Sequence, residues 1–464
     1  MHYCKSFSKN IGHEFTASTI RLSALTGSAA VDIGGDTTAR QFGLRKKSDS
    51  VQPADIELYK DTRLNIVDEV SFACFDKDLT KLSQNLQSFT ECTSEAYGNI
   101  AIVFIGDFCQ LAPVMGVEIY TKERAYVWEQ CLNSLVELKG THRYRDCPIL
   151  AKTMPELRDG EAEEMRRLLK TRLVTPGGLQ IPTEGKVQYA TWTNKTKASI
   201  NARIFEKHLM AHHSECADDP IPTNAIVIVS SAKWSTTRKK LSHAQHKRFL
   251  ETCSEGQICN ASQKRVAPLL CLIQGGDAMV TENLEVSTGV GNGTCCTFAK
   301  AILKCGETTT PIQVHGRWVH SVEIDRVHRL VMRWNNESRY RGTFEIKSVT
   351  SCFKVQYPDD DDYLGIGMKW APSMRIEHFP MSVNFATTGH KLQGKSVDIL
   401  VIAEWTSTHN WPYVVLSRVR TLDGLFLLEP MPDHVDFAPD PRYVSMMERL
   451  RETILEEPIV RLQH

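Results

Sequence analysis

Short apolar runs separated by longer stretches of mixed polarity recur along the first third of the chain. Thr19-Ile20-Arg21-Leu22-Ser23-Ala24, then Leu64 with Ile66 and Val67, then Ile100 to Ile105, each read as a short strand. The strands at 64–67 and 100–105 turn acidic where they end, which is where open parallel sheets place their ligand crevice. Cys4, Phe7 and Ile11 fall at helical spacing, with Gly12 as a stop, and residues 73–97 read as a helix plus linker. The spacing of Ile149, Leu150, Met154 and Leu157 predicts another helix, closed by Arg158-Asp159-Gly160. Val187–Thr191 and Ile399–Ile402 are two more strands. Between them, from Ala225 to Ser382, the pattern changes to short β segments with frequent turns, and from Arg442 onward the chain reads as an exposed helical tail.

Composition changes this picture only a little. The 464 residues suffice for about three domains. Basic and acidic side chains balance at 55 each, so any nucleic-acid contact must rest on local patches rather than on net charge. No apolar run approaches the ~18 residues of a membrane span, and the start shows no secretory signal, so the expectation is a soluble, intracellular protein. Fourteen cysteines lie scattered without a Cys-x-x-Cys pair, as free thiols in a reducing compartment would. His208, His212, His213 and Cys216 can be written as a metal cluster, but no second ligand pair at zinc spacing accompanies them, and a solvated helix end is the preferred reading.

The candidate chemistry sits where two strands end. Asp68 and Glu69 follow the strand at 64–67, and such an acidic pair suits a magnesium ion and an attacking water; a merely polar strand terminus is the alternative. After the next strand comes Gly106-Asp107-Phe108-Cys109-Gln110-Leu111-Ala112-Pro113-Val114. The glycine lets the chain leave the strand tightly, and Gln110 brings a neutral amide to a terminal phosphate or its water.

These two segments resemble the Pif (petite integration frequency) and RecD-like branch of superfamily one DNA helicases, including versions carried by Helitron-type transposons. The pattern there is Asp-Glu-x-Ser-Met, then Gly-Asp-x-x-Gln-Leu-x-Pro-Val; this chain has Phe72 for the methionine and Ala112 for a proline. Other segments follow in the family's order. Leu25-Thr26-Gly27-Ser28-Ala29-Ala30 resembles the segment that touches the backbone of the single strand. Phe385 to Asp398, with His390-Lys391-Leu392-Gln393-Gly394, resembles Thr-x-His-Lys-x-Gln-Gly, and Tyr413 to Val419 resembles Tyr-Val-Ala-Leu-Ser-Arg-Val. Asn194-Lys195 with Asn201 resembles the helix that opens the second motor domain, with capping by Asn194 as an equal reading. Arg326, Arg329, Arg333, Arg339 and Arg341 interleave with Trp318, Trp334, Tyr340 and Phe344, which suits either single-strand stacking or, preferably, a solvated sheet face diluted by acids.

The resemblance implies two RecA-like α/β motor domains of the P-loop NTPase class with parallel sheets, and a small SH3-like β-barrel inserted in the second. Boundaries follow: 1–140 for the first domain, 141–224 for the start of the second, 225–382 for its continuation with the insertion, 383–430 for its end and 431–464 for the tail. It implies an ATP-dependent helicase moving 5′ to 3′ on single-stranded DNA and parting duplex junctions, in repair, recombination, telomere maintenance or transposon replication. A nuclear place is favoured over a mitochondrial one. Asp68 would hold Mg2+, Glu69 activate water, Gln110 sense the terminal phosphate of ATP, and Arg143 with Arg418 neutralise it from across the cleft; Arg145 competes with Arg143. Gly106, Asp107, Gln393 and Gly394 would line the nucleotide, and Thr26, Gly27, His390 and Lys391 would meet DNA. The family's Gly-x-x-Gly-x-Gly-Lys-Ser/Thr loop occurs nowhere in these 464 residues, which leaves open a helicase-derived protein that binds DNA or a partner without hydrolysis.

Overall fold

The computed structural model describes residues 14–44, 53–113, 116–122, 125–138, 142–212, 223–234, 268–314, 316–335, 338–353 and 374–454, with a few isolated positions besides. The helix read at Cys4–Ile11, the basic loop Arg45-Lys46-Lys47, the acidic run 359–362, and His213 with Cys216 lie outside them.

The first lobe is built on β1 (Ile20–Ala24), β2 (Asp36–Thr37), β3 (Leu64–Asp68) and β4 (Ala101–Phe104), all parallel, in the order β2-β1-β3-β4. Helix α1 (Gly27–Ile33) follows β1 and starts at Thr26, whose hydroxyl accepts from the Ala29 amide. Helix α2 (Thr80–Thr90) turns Leu82, Leu86 and Phe89 onto one face, where they pack with Phe42, Tyr59 and Val67. Parallel strands need apolar cover on both faces. Here one face is well covered, with Ser23, Asn65 and Val67 fully buried. The other is not: on β4, now an edge strand, Val103 and the following Ile105 are 44% and 45% exposed.

From the first lobe the chain runs through α3 (Pro148–Arg158) into β5 (Val187–Thr191) and α4 (Asn194–His212). The hydroxyl of Thr193, not Asn194, caps α4, accepting from the Thr196 amide at 3.1 Å. Asn201 is structural: its amide brackets the Ala386 backbone at 2.9 and 3.3 Å.

The β-rich stretch forms three sheets among the described residues. One joins β6 (Ala225–Val229) to β8 (Leu269–Ile273) and, in parallel, to the distal strand of the β11–β12 hairpin (Thr310–Val314 and Arg317–Glu323). A second pairs β7 (Ser231–Trp234) with β16 (Met374–His378), and β16 with β15 (Val349–Phe353). The third is antiparallel, in linear order β14-β13-β10-β9-β17, over Thr343–Ile346, Val327–Trp334, Cys295–Leu303, Asp277–Val280 and Met381–Val383. Its aromatics belong to the core: Trp334 is buried and stacks on Tyr340 at 5.0 Å and Phe344 at 4.1 Å. Arg329 pairs with Glu345 and Arg326 with Glu307, which supports the solvated-face reading of the arginine cluster.

The chain then rejoins β5 through β18 (Ala386–Thr388), β19 (Ile399–Ile402) and β20 (Leu425–Leu427), giving a parallel sheet β18-β5-β19-β20. Its core gathers Leu150, Leu157, Trp411, Val414, Val415 and Leu416, the last four from α5 (Trp411–Leu416). The last helix, α6 (Pro441–Ile454), corrects the reading of an exposed tail. Met446 and Leu450 are buried against Val70, Phe75, Tyr120 and Trp128 of the first lobe. Arg449 donates to both carboxylate oxygens of Glu129 at 2.9 Å, and Trp128 Nε1 to Met446 Sδ at 3.3 Å. The helix is a strap from the second lobe back to the first.

Candidate active site

The acidic pair sits at the C-terminal end of β3, facing the second lobe. Asp68 closes the strand, and its carboxylate accepts from the Glu69 amide at 2.8 Å. Glu69 then takes a left-handed backbone, φ 57°, which is uncommon for any residue but glycine and marks a site where neighbours hold strain. The holding bonds are Val70 N–H to the Ile105 carbonyl and Ile105 N–H to the Val67 carbonyl, both 2.9 Å, so β3 and β4 lock the turn together. Gly106 follows. A Cβ there would meet Val70 Cγ1 at 2.9 Å and the Val70 amide at 3.0 Å, so only glycine lets the 106–110 loop lie over the acidic turn.

Facing Glu69 is the segment 390–395 of the second lobe. Gln393 Nε2 reaches Glu69 Oε2 at 3.5 Å, and a Cβ on Gly394 would stand 3.6 Å from Glu69 Oε1. Thr26, Ser28, Asp32, Glu69, His390, Gln393, Gly394 and Lys395 line a narrow cavity of about 30 Å³. Burial pushes the Asp32, Asp68 and Glu69 carboxyls up from the ordinary range, and Asp68 raises both of the others. Hydrogen bonding from Gln393 and the charge of Arg418 oppose this at Glu69 only in part.

Behind the acids lie two guanidinium groups. Arg418 is 2% exposed; its Nε donates to the Val414 carbonyl at 2.7 Å and to Ser417 Oγ at 3.1 Å. Burial, and then the neighbouring Arg143, pull its pKa down to about 10. Arg143 Nε donates to Ser396 Oγ at 2.9 Å, and its NH1 to the Ser417 carbonyl at 2.8 Å. Among the described residues neither is in ion-pair contact with a carboxylate. Arg145 is at the surface beside Asp146, so Arg143 is the arginine held next to Arg418.

Gln110 stands on the first-lobe side, its amide nitrogen 3.5 Å from Asp107 and its amide oxygen buried without a hydrogen-bond partner. The amide oxygen of Gln393 is orphaned in the same way. Asp107 itself is engaged by Arg158 at 3.1 Å. On the far side of the cavity Lys391 Nζ donates to Asn292 at 2.7 Å; burial, then Lys395 and Lys197, pull its pKa down to about 8. His390 lies 6.1 Å from Trp192, ring to ring, and burial lowers its pKa too. Gly27 is packed, not open: a Cβ would fall 2.2 Å from Asn283 Oδ1 and 2.9 Å from the Asn292 amide.

Most of the residues singled out from the sequence therefore converge on one interlobe cleft. Asp32 and Lys395 join them unannounced. Lys395 directly follows the Gln393-Gly394 pair, and that adjacency was the available signal; nothing in sequence marked Asp32.

The groups present fit a magnesium-bound polyphosphate. Burial raises three carboxyls, two buried amide oxygens lack donors, and two guanidiniums, one buried and one half-buried, have no carboxylate in ion-pair contact among the described residues. Magnesium is commonly held by one or two carboxylates plus phosphate oxygens, a role Asp68 has the chemistry to fill.

The profile of PIF1-like helicases matches residues 9–160. The Xenopus laevis ATP-dependent DNA helicase PIF1 is 24% identical over 456 residues, which cover 94% of this chain and 59% of that protein. The chain thus spans about three fifths of that relative. Among solved structures, Bacteroides Pif1 bound to single-stranded DNA superposes with TM-score 0.63 at 19% identity, over 97% of this chain and 91% of that one. Its complex with ADP-AlF3 and single-stranded DNA gives 0.62 at 19% identity, over 95% and 89%. Residues 9–160 thus resemble a PIF1-like helicase domain, and both lobes share the fold of the Bacteroides Pif1 structures.

Proposed function

We propose that the chain is the motor of an ATP-dependent DNA helicase that tracks along single-stranded DNA from 5′ to 3′ and parts the duplex at a junction. The observation that carries this is the pair of guanidiniums, Arg418 buried and Arg143 half-buried, neither in ion-pair contact with a carboxylate among the described residues, set across a cleft from Glu69. A phosphoryl transition state spreads charge over the oxygens of the transferred group, and fixed arginines facing it are worth roughly 10³-fold or more in rate. The names of the relatives point the same way, since the Bacteroides protein was captured with single-stranded DNA and with ADP-AlF3.

In this reading Asp68 holds magnesium, which when bound neutralises charge on the phosphate oxygens. Glu69 takes the proton of the attacking water, and its raised pKa suits a general base. Gln110 orients that water or the terminal phosphate. Arg143 and Arg418 close from the second lobe as charge shifts toward the leaving oxygen. Thr26, His390 and Lys391 meet the DNA backbone at the rim.

The test is ATP turnover with and without single-stranded oligonucleotide, on this chain and on a form extended upstream by its reading frame. Glu69→Gln should cut the DNA-stimulated rate by about 10²–10⁴-fold. Turnover indifferent to DNA in both forms would end the motor reading. Binding to oligonucleotide with no turnover in either form would favour a protein that holds DNA without hydrolysis.

A further inference from the structure

The 106–110 loop of the first lobe is held at two points by the second. Asn410 Nδ2 donates to the Gln110 carbonyl at 2.9 Å and to the Phe108 carbonyl at 3.3 Å. Arg158 NH2 donates to Asp107 Oδ1 at 3.1 Å, and Asp107 in turn accepts from the Cys109 amide at 3.0 Å. Each point of grip lies at the end of a helix that adjoins one of the two guanidiniums along the chain. Asn410 is the residue from which α5 starts: its carbonyl accepts from the Val414 amide at 2.9 Å, and the Val414 carbonyl accepts from Arg418 Nε at 2.7 Å. Arg158 ends α3, the helix that follows Arg143 and Tyr144. From Gln110 to Arg418, then, runs one unbroken series of hydrogen bonds across the lobe boundary.

Asn410 is also suited to its place. It adopts φ 63°, which asparagine tolerates better than most side chains, and it uses both amide protons on backbone carbonyls that the loop itself leaves unpaired.

We propose that Asn410 and Arg158 are positioning residues that clamp the Gln110 loop to the second lobe, so that Gln110 and the two arginines engage the terminal phosphate as one unit. The proposal rests on the functional reading of Gln110, Arg143 and Arg418 given above. Loss of either clamp leaves every phosphate-facing side chain in place and lets the loop move independently of the fingers. Its signature is a fall in kcat with little change in the KM for ATP, because only the geometry reached in the transition state is lost.

The variants are Asn410→Gly, which keeps the left-handed backbone and removes the amide, Arg158→Met, and Arg158→Lys as the conservative partner. Two readouts are needed on each: hydrogen exchange of the 106–111 amides, and steady-state ATP turnover in the presence of single-stranded DNA. Expected are about tenfold faster exchange in 106–111 for N410G and R158M, unchanged exchange in the distant strand β13, kcat down about tenfold or more, KM within about threefold, and substantial recovery in R158K. Wild-type exchange rates in 106–111, or a raised KM with intact kcat, would overturn the clamp. If the wild type turns over no ATP, the functional reading fails by itself, and the exchange measurement still decides whether the loop is held. Faster exchange in β13 as well would mean general loosening, and would also overturn the proposal.

Discussion

At the scale of single residues the cleft is built against its own stability. A half-buried lysine whose pKa has fallen from 10.5 to about 8 costs the folded chain free energy when charged. Between about pH 8 and 10.5 the unfolded chain binds the extra proton, so stability rises with pH through that window; at pH 7 the charge on Lys391 is a burden. What it gains is a desolvated ammonium ready for a phosphate. Lys391→Met should therefore raise the melting temperature at pH 7 and weaken binding of a labelled single strand. Wild-type affinity should fall between pH 7 and 9, by up to about tenfold per unit at the steepest point, since binding must then take up a proton. Lys391→Arg keeps its charge and should flatten that profile. Fluorescence anisotropy across pH, with melting curves in parallel, checks all three; a K391R profile as steep as wild type would remove Lys391 from the DNA contact.

Among the elements, α6 departs furthest from what its sequence suggested. Tyr443, Met446, Met447 and Leu450 fall at i, i+3, i+4 and i+7, so an apolar face was in view, but nothing in sequence shows which surface takes it. The surface is the underside of the Glu69–Val70 turn, some 375 residues away in the chain. Leu450→Ala should cost about 2–4 kcal/mol in denaturant unfolding. Arg449→Ala should cost about 3 kcal/mol, because it strands the buried Glu129 carboxylate, and Glu129→Gln in the same chain should recover part of that. If neither changes the unfolding midpoint, the strap carries no load. The same contrast runs through the site. Asp68, Glu69, Gln110 and Arg418 were legible because their chemistry dictates residue type at a strand end or helix end. Asp32, Asn410 and Arg158 were not, because their roles come from what lies opposite them. The aromatic and arginine run at 318–344 was ambiguous until packing put Trp334 in the core.

For the molecule as a whole, equal numbers of acids and bases mean that no long-range field draws in a polyanion. In the proposed function, grip on DNA is assigned, among the described residues, to the cations gathered at the cleft, Lys391 and Lys395 with Lys197 close by. Single-strand binding releases about 0.7 counterion per phosphate neutralised. Two or three such contacts give a slope of log affinity against log salt of about −1.4 to −2.1, well short of what a chain with a broad basic face would show. Replacing Lys391 by alanine should reduce the slope by about 0.7 and leave the remainder intact. A measured slope near −5 would mean that many more phosphates are neutralised than the cleft can reach, and would move the DNA path onto another face of the protein. A weak, local grip would suit the proposed stepping motor, in which the polar contacts between the lobes, Glu69 with Gln393, Asp107 with Arg158 and Asn410 with the Gln110 loop, act beside the packing of α1 on Val286 and Gly291 and the tether of α6.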